Sequence, residues 1–241
     1  MIIFKIIILI LLLEVFIQIL IRSYKKKFKW FINDDDELPK FDKTKLKNFL
    51  LKNFDQELGW RQKLDSSGFL EKINKSDKSK DYRKLTYEKK KKLVAAFGVS
   101  YVFSNYMSDR NTWEEQISKK NQFNILNYGV SNYGLDQAIL KYKRCKVSKN
   151  VKIVIMGFVP ETITRIQSRW KHYTEFGNIN GFKPKFDLVN NKLVLKPNPI
   201  NKKITPLQIN KIILKLRNKE RFYNDRFLKY KFRFPYIINF F

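Results

Sequence analysis

A parallel α/β sheet carried behind an N-terminal membrane helix is the architecture this 241-residue sequence predicts. Three observations lead there. The chain opens on a long apolar run, strand-like and helix-like segments alternate between Leu93 and Trp170, and the turns ending the strands are rich in Gly and Ser. Alternation of that kind implies right-handed crossovers and a parallel sheet, whose strands place all their C-terminal ends on one edge. Such an edge is where ligands bind.

The first element is Ile2 to Ile21, IIFKIIILILLLEVFIQILI. At about 1.5 Å per residue it matches the roughly 30 Å hydrocarbon layer, so residues 2–21 are expected to form a transmembrane anchor. Lys5 can snorkel to the interface, whereas Glu14 sits in mid-span and is costly there unless protonated or paired. No small-x-small cleavage site follows, which favours a retained anchor over a removed leader. The basic cluster RSYKKKFKW favours a cytoplasmic domain by the positive-inside rule. That vote is discounted in a chain with a formal net charge of +28.

Residues 22–90 read as a juxtamembrane stalk and pre-domain segment. An acidic knot, NDDDE, precedes the weakly amphipathic KTKLKNFLLKNF and the polar, turn-rich SSGFLEKINKSDKSKDYRK. Residues 91–241 are then the domain. KLVAAFG is a short buried strand; NTWEEQISKK is a helix with Thr112 and Glu115 at capping-box spacing and Trp113 and Ile117 on its buried face. FNILNYGV is the second strand, followed by a helix over YGLDQAILKYKRCK with Leu135, Ala138, Ile139 and Tyr142 as its stripe. NVKIVIMGFV is apolar nearly throughout, as expected of a strand covered on both faces. ETITRIQSRWKHY reads as a helix. GFKPKFDLVNNKLVLKPNPI is a hairpin about the turn Asn190-Asn191, with Phe186, Leu188, Leu193 and Leu195 as packing residues. TPLQINKIILKLRNKERFYNDRFLKYKF is a helix with Thr205 as N-cap and Pro206 at its first position.

The charge does not by itself imply a polyanion partner. Lysines are strewn through every segment and never gather into a recognition helix, zinc finger or aromatic RNA-binding box, so they read as solvated faces and nucleic acid is not expected as a partner. The single cysteine, Cys145, excludes an internal disulfide framework and a paired-cysteine metal site. No cofactor or metal ion is expected.

Three polar turns converge on the predicted sheet edge: Gly98 to Tyr101, Tyr128 to Gly134, and Gly157 to Thr162. A serine opening a helix beside a glycine-bearing turn is what acyl transfer needs, because backbone N–H groups there can face a developing oxyanion. These glycines equally suit tight strand-to-helix turns with no chemistry.

In four ordered stretches the chain resembles the SGNH/GDSL hydrolase superfamily, in particular its membrane-anchored bacterial members. FDQELGW resembles their pre-domain D-x-E-L-G-W, and FGVSYVFSNYMSDRNTW their first block. ILNYGVSNYGLDQ is similar to the second block, and VIMGFVPETI to the third. The Glu- and Arg-bearing anchor is similar too. The resemblance implies a three-layer, flavodoxin-like parallel-sheet domain that is incomplete at its C-terminus. It also implies an extracytoplasmic, periplasmic domain and an acylated glycan or lipid-linked sugar as substrate. Ser100 then matches the nucleophile, with Gly129 and Thr162 at oxyanion positions. Departures are equally plain: Val99 replaces the Asp of the first block, Thr162 replaces an Asn, and no Asp-x-x-His block follows. His172, the sole histidine, lies ten residues beyond the third block and is a weak candidate base. Two readings follow: an esterase or acyltransferase, impaired or truncated in this chain, and a non-catalytic glycan-binding relative.

Overall fold

Strand β3 (Lys92–Gly98) is the centre of a three-stranded sheet whose order is β4-β3-β5, with β4 (Phe123–Asn127) and β5 (Val151–Gly157) both parallel to it. Every β3 residue after Lys92 is buried, and Ala95 and Ala96, both at 0% exposure, let elements pack closely on either face. On one side Leu93, Ala95 and Phe97 join Leu126, Tyr128 and Cys145; on the other Val94 and Ala96 join Val102 and Ile125. The protein is thus mixed α/β with a parallel sheet. The computed structural model describes residues 2–24, 38–61, 82–83, 92–147, 149–175, 177–223 and 235–240. It divides into two compact units, Phe41–Ile212 and a second made of Met1–Lys40 with Ile213–Phe241.

The larger unit opens with α2 (Lys43–Lys52), capped by Asp42, and the short antiparallel pair β1 (Phe54–Asp55) and β2 (Gly59–Trp60). Residues 41–61, read from sequence as pre-domain, therefore belong to the same unit as the sheet. After β3 comes α3 (Ser100–Phe103), then α4 (Trp113–Lys120), whose N-cap Thr112 accepts from Glu115 N–H at the predicted spacing. Its buried face differs from the predicted one. Trp113 packs on the Val94 cluster, but Ile117 is exposed while Glu114, Glu115 and Ser118 face inward, where Ser118 Oγ accepts the Ile125 N–H.

Helix α5 (Leu135–Arg144) is rotated in the same sense. Ala138 is buried as predicted and Tyr142 packs its ring edge on Phe97 while remaining 40% exposed. Polar Asp136, Gln137 and Lys141 fill the rest of its inner face. ETITRIQSRWKHY is broken rather than one helix: α6 (Pro160–Thr164) gives way to 3₁₀ turns at Arg165–Gln167 and Lys171–Tyr173. Ser168 Oγ accepts Trp170 N–H, and Trp170 pairs with Phe182 as an isolated bridge.

Strands β6 (Lys185–Val189) and β7 (Lys192–Lys196) form the predicted hairpin, with Asn190 and Asn191 both at positive φ. Two consecutive left-handed residues suit the twist of a two-residue hairpin loop. Phe186 is half-buried, but Leu188, Leu193 and Leu195 are exposed and do not supply the predicted packing. Helix α7 (Pro206–Arg217) starts as predicted, with Thr205 Oγ1 accepting Gln208 N–H and Gln208 Oε1 accepting Thr205 N–H. The division between units falls within it. Residues 224–232, the far part of that predicted helix, lie outside the described residues, as do the NDDDE knot and most of the polar connection.

Strand β5 departs most from expectation. Its sequence is that of a fully covered strand, yet Ile153, Val154 and Ile155 are 59%, 39% and 38% exposed. Helices α4 and α5 lie on β4 and β3, and among the described strands only β3 pairs with β5.

In the smaller unit α1 (Ile2–Tyr24) is a single helix long and apolar enough to cross a membrane, three residues longer than the predicted span at its C-terminal end.

Candidate functional site

The pairing register brings the three polar turns to one edge. Gly98 lies opposite Gly157, Tyr128 N–H donates to Ala96 O, and Val130 N–H to Gly98 O. Ser100 follows β3, Gly129 follows β4 and Thr162 lies in α6 after β5, so all three stand at the C-terminal edge of the same parallel sheet. A cleft of about 680 Å³ opens there. Ser100, Thr162 and Asn132 line it; Gly129 and His172 do not.

Ser100 opens α3, and its hydroxyl makes no hydrogen bond among the described residues. Val99, its N-cap, offers no side-chain bond to the turn. The valine is fully buried in an apolar cluster with Leu58, Trp60, Val130 and Tyr133.

The two other matched positions have partners within the fold. Gly129 N–H donates to Asn127 Oδ1 at 2.9 Å, which turns that amide away from an oxyanion role. What the glycine provides is room: a Cβ there would come within 2.5 Å of Phe103 N. Thr162 Oγ1 donates to Val159 O at 2.7 Å, and Thr162 N–H donates to the same carbonyl. Neither group is presented to the cleft as a spare donor.

His172 belongs to another cluster. It stacks on Trp170 at 4.6 Å, and its Nδ1 accepts the Gly177 N–H. Burial pushes its pKa down to about 4, so it is neutral over the ordinary range. A buried, neutral, stacked histidine outside the cleft is not placed to take a proton from Ser100.

Several residues that organise the cleft carried no readable signal in the sequence. Arg83 is 6% exposed and lies in the polar connection. Its guanidinium donates to the carbonyls of Phe103, Ser104 and Met107, pairs with Asp109, and lies over the Phe103 ring. It clamps the loop that carries Ser104 and Tyr106, both in the left-handed region at φ 60° and 68°. Asn132, at φ 68°, is the third such residue on the cleft. Non-glycine residues in this conformation persist where surrounding contacts over-determine them.

Beneath the loop, Glu114 accepts from Asn127 Nδ2 at 2.6 Å and from Ser104 Oγ at 3.3 Å, linking the β3 and β4 turns. Burial pushes its carboxyl up to about 7, only partly offset by the hydrogen bonds it accepts and the charge of Arg83.

The exposed rim is aromatic and amide-rich. Tyr106 is fully exposed, Tyr101 is 66% exposed, and Trp113, Asn105 and Asn111 also line the cleft, as do Glu161 and Arg165, the latter paired with Glu175. Chemically the cleft offers flat amphipathic rings and amide hydrogen-bonding groups around a serine hydroxyl that has no partner among the described residues. Among the described residues no cluster of His, Cys, Asp and Glu suits a metal ion. No protein-family model, curated protein or solved structure matches the chain.

Proposed function

We propose that the protein is a membrane-anchored, SGNH hydrolase-like module that binds an acylated glycan or lipid-linked sugar without turning it over, its domain lying on the extracytoplasmic side. The observation that carries this reading is the cleft over Ser100. It gathers the three turns that resemble hydrolase blocks, yet Gly129 N–H and the Thr162 hydroxyl are bound within the fold, and His172 is elsewhere. A serine hydroxyl without a base is a poor nucleophile, and missing oxyanion donors weaken it further. What is left is a recognition surface of tyrosines, tryptophan and amides suited to the apolar faces and hydroxyls of a sugar. The apolar helix α1 supports the anchored part of the reading.

The test uses the full-length protein in detergent micelles. Titration with acetylated oligosaccharides is expected to give saturable binding that weakens in Tyr106→Ala and Trp113→Ala. Turnover of a chromogenic acyl ester is expected at equal, near-background rates in the native chain and Ser100→Ala. A clear loss of turnover in Ser100→Ala would establish an activated serine and overturn the non-catalytic reading in favour of an esterase.

A further inference from the structure

The carboxylate in the middle of α1 has a defined partner in its own unit. Glu14 is only 8% exposed, and its oxygens accept the backbone N–H groups of Tyr236 and Ile237 at 2.7 and 2.9 Å. These two residues open the 3₁₀ turn Tyr236–Phe240, and the buried Tyr236 side chain packs with Ile21 and Ile17 of α1.

The backbone donors at the start of this segment are all accounted for without water. Pro235 has none, Tyr236 and Ile237 donate to Glu14, and Ile238 donates to Pro235 O at 3.3 Å. The first turn of a helix ordinarily leaves such groups to side chains or solvent. Around them the chain is apolar, and Ile238, 64% exposed, faces outward as do Ile3, Leu9 and Leu13 of α1.

Depth follows from the helix rise. Glu14 lies about 18 Å from Ile2 and about 15 Å from Tyr24 along α1, near the middle of a spanning helix. Groups hydrogen-bonded to it share that depth. Non-helical backbone is tolerated in hydrocarbon only when the protein itself satisfies its polar groups. The Glu14 carboxylate meets that requirement for the tail, and the tail in turn supplies the partner that a mid-span carboxylate needs.

We propose that residues 235–240 form a re-entrant membrane segment docked on α1 at Glu14, which makes α1 a permanent part of the fold and gives the chain two membrane-embedded segments. This reading is independent of what the Ser100 cleft binds.

The experiment uses the full-length chain in open membrane fragments, in a Cys145→Ser background. Ile21→Cys with Tyr236→Cys is expected to cross-link with a short bifunctional maleimide. Ile238→Cys is expected to react with a membrane-impermeant maleimide several-fold more slowly than Lys211→Cys on the exposed face of α7. Adding Glu14→Leu should bring Ile238→Cys to the control rate and leave Lys211→Cys unchanged. Equal rates with Glu14 in place, no cross-link, protection that survives Glu14→Leu, or an intact mass lacking the first helix would each overturn the proposal. The cross-linking pair keeps Glu14 and so remains decisive should Glu14→Leu fail to fold.

Discussion

At the junction between residues 55–60 and the turn after β4, polar side chains point at protein partners; in the cleft over Ser100 the serine hydroxyl meets none among the described residues. Trp60 Nε1 donates to Ser131 O, Tyr133 OH to Trp60 O, and Gln137 Nε2 to Leu58 O. Asp55 accepts the Glu57 and Leu58 N–H groups and is held by Arg144 and Arg61. Gly59, at φ +93°, permits the bend that presents Trp60. Two of the four motif-like stretches are thus each other's binding partners, and their residue types follow from packing. The first and third line an open space, where Ser104 and Tyr106 of the first hold left-handed backbone. Stretches of similar apparent specificity can therefore report structural fastening in one place and line an open cleft in another, and only the hydrogen-bond partners tell them apart.

The sharpest way to break the comparison is to unfasten the junction. Burial pushes the Asp55 carboxyl up, but Arg144 and Arg61 outweigh it and hold the group below its ordinary value. Asp55→Ala takes the closer carboxylate partner from the half-buried Arg144, which keeps Glu57 at 3.4 Å, and leaves the buried Leu58 N–H without its acceptor; it is expected to lower stability by about 3–5 kcal/mol, measured by urea unfolding. Trp60→Ala is expected to cost a similar amount, about 3–5 kcal/mol, because it empties the Val99–Tyr133 cluster as well as breaking the Ser131 bond. Tyr106→Ala across the cleft should change stability by no more than about 0.5 kcal/mol. A large effect from Tyr106→Ala would show that the rim is structural after all.

The buried Glu114 and His172 sharpen the comparison through pH. Glu114, raised from 4.5 to about 7, contributes stability fully present below pH 4.5 and lost as pH rises through 7. His172, lowered from 6.5 to about 4, contributes stability present above pH 6.5 and lost as pH falls through 4. The slopes oppose each other between pH 4.5 and 6.5, so the native chain should be nearly flat there. Glu114→Gln keeps an acceptor for Asn127 and unmasks the histidine: stability should then rise by on the order of 3 kcal/mol from pH 4 to 6.5. A profile unchanged by Glu114→Gln would remove Glu114 from the support of the cleft.

A smaller loss than those at the junction is expected at the close approach of two turns. Gly129→Ala must push against Phe103 N and is expected to cost about 1–3 kcal/mol in thermal unfolding and to distort the Ser104–Tyr106 loop.

The order of strands, the hairpin turn and the caps at Thr112 and Thr205 were legible because they are local: periodicity, capping spacing and turn chemistry act over a few residues. The edge placement of Ser100, Gly129 and Thr162 followed from parallel topology alone. What these residues do there did not: Asn127 takes the Gly129 amide two residues on and Val159 takes the Thr162 hydroxyl three residues on, and the residue types alone do not say whether such donors are bound locally or left open. Arg83 was illegible because its contacts are tertiary, being one basic residue among many until three carbonyls converge on it. The inner faces of α4 and α5 misled because buried polar groups satisfied by partners, such as Asp136 with Lys183, look like solvent-facing residues in a sequence.

Strand β5 has a consequence for the life of the chain outside its folded state. Among the described residues no strand pairs with its edge away from β3, which is flanked by the exposed Ile153, Val154 and Ile155, with Lys152 as the charge that interrupts the run. An exposed, apolar edge of this kind is a template on which a strand from another molecule can add. During synthesis, when many copies are crowded near one another, that lysine stands as gatekeeper between orderly folding and sheet-to-sheet aggregation.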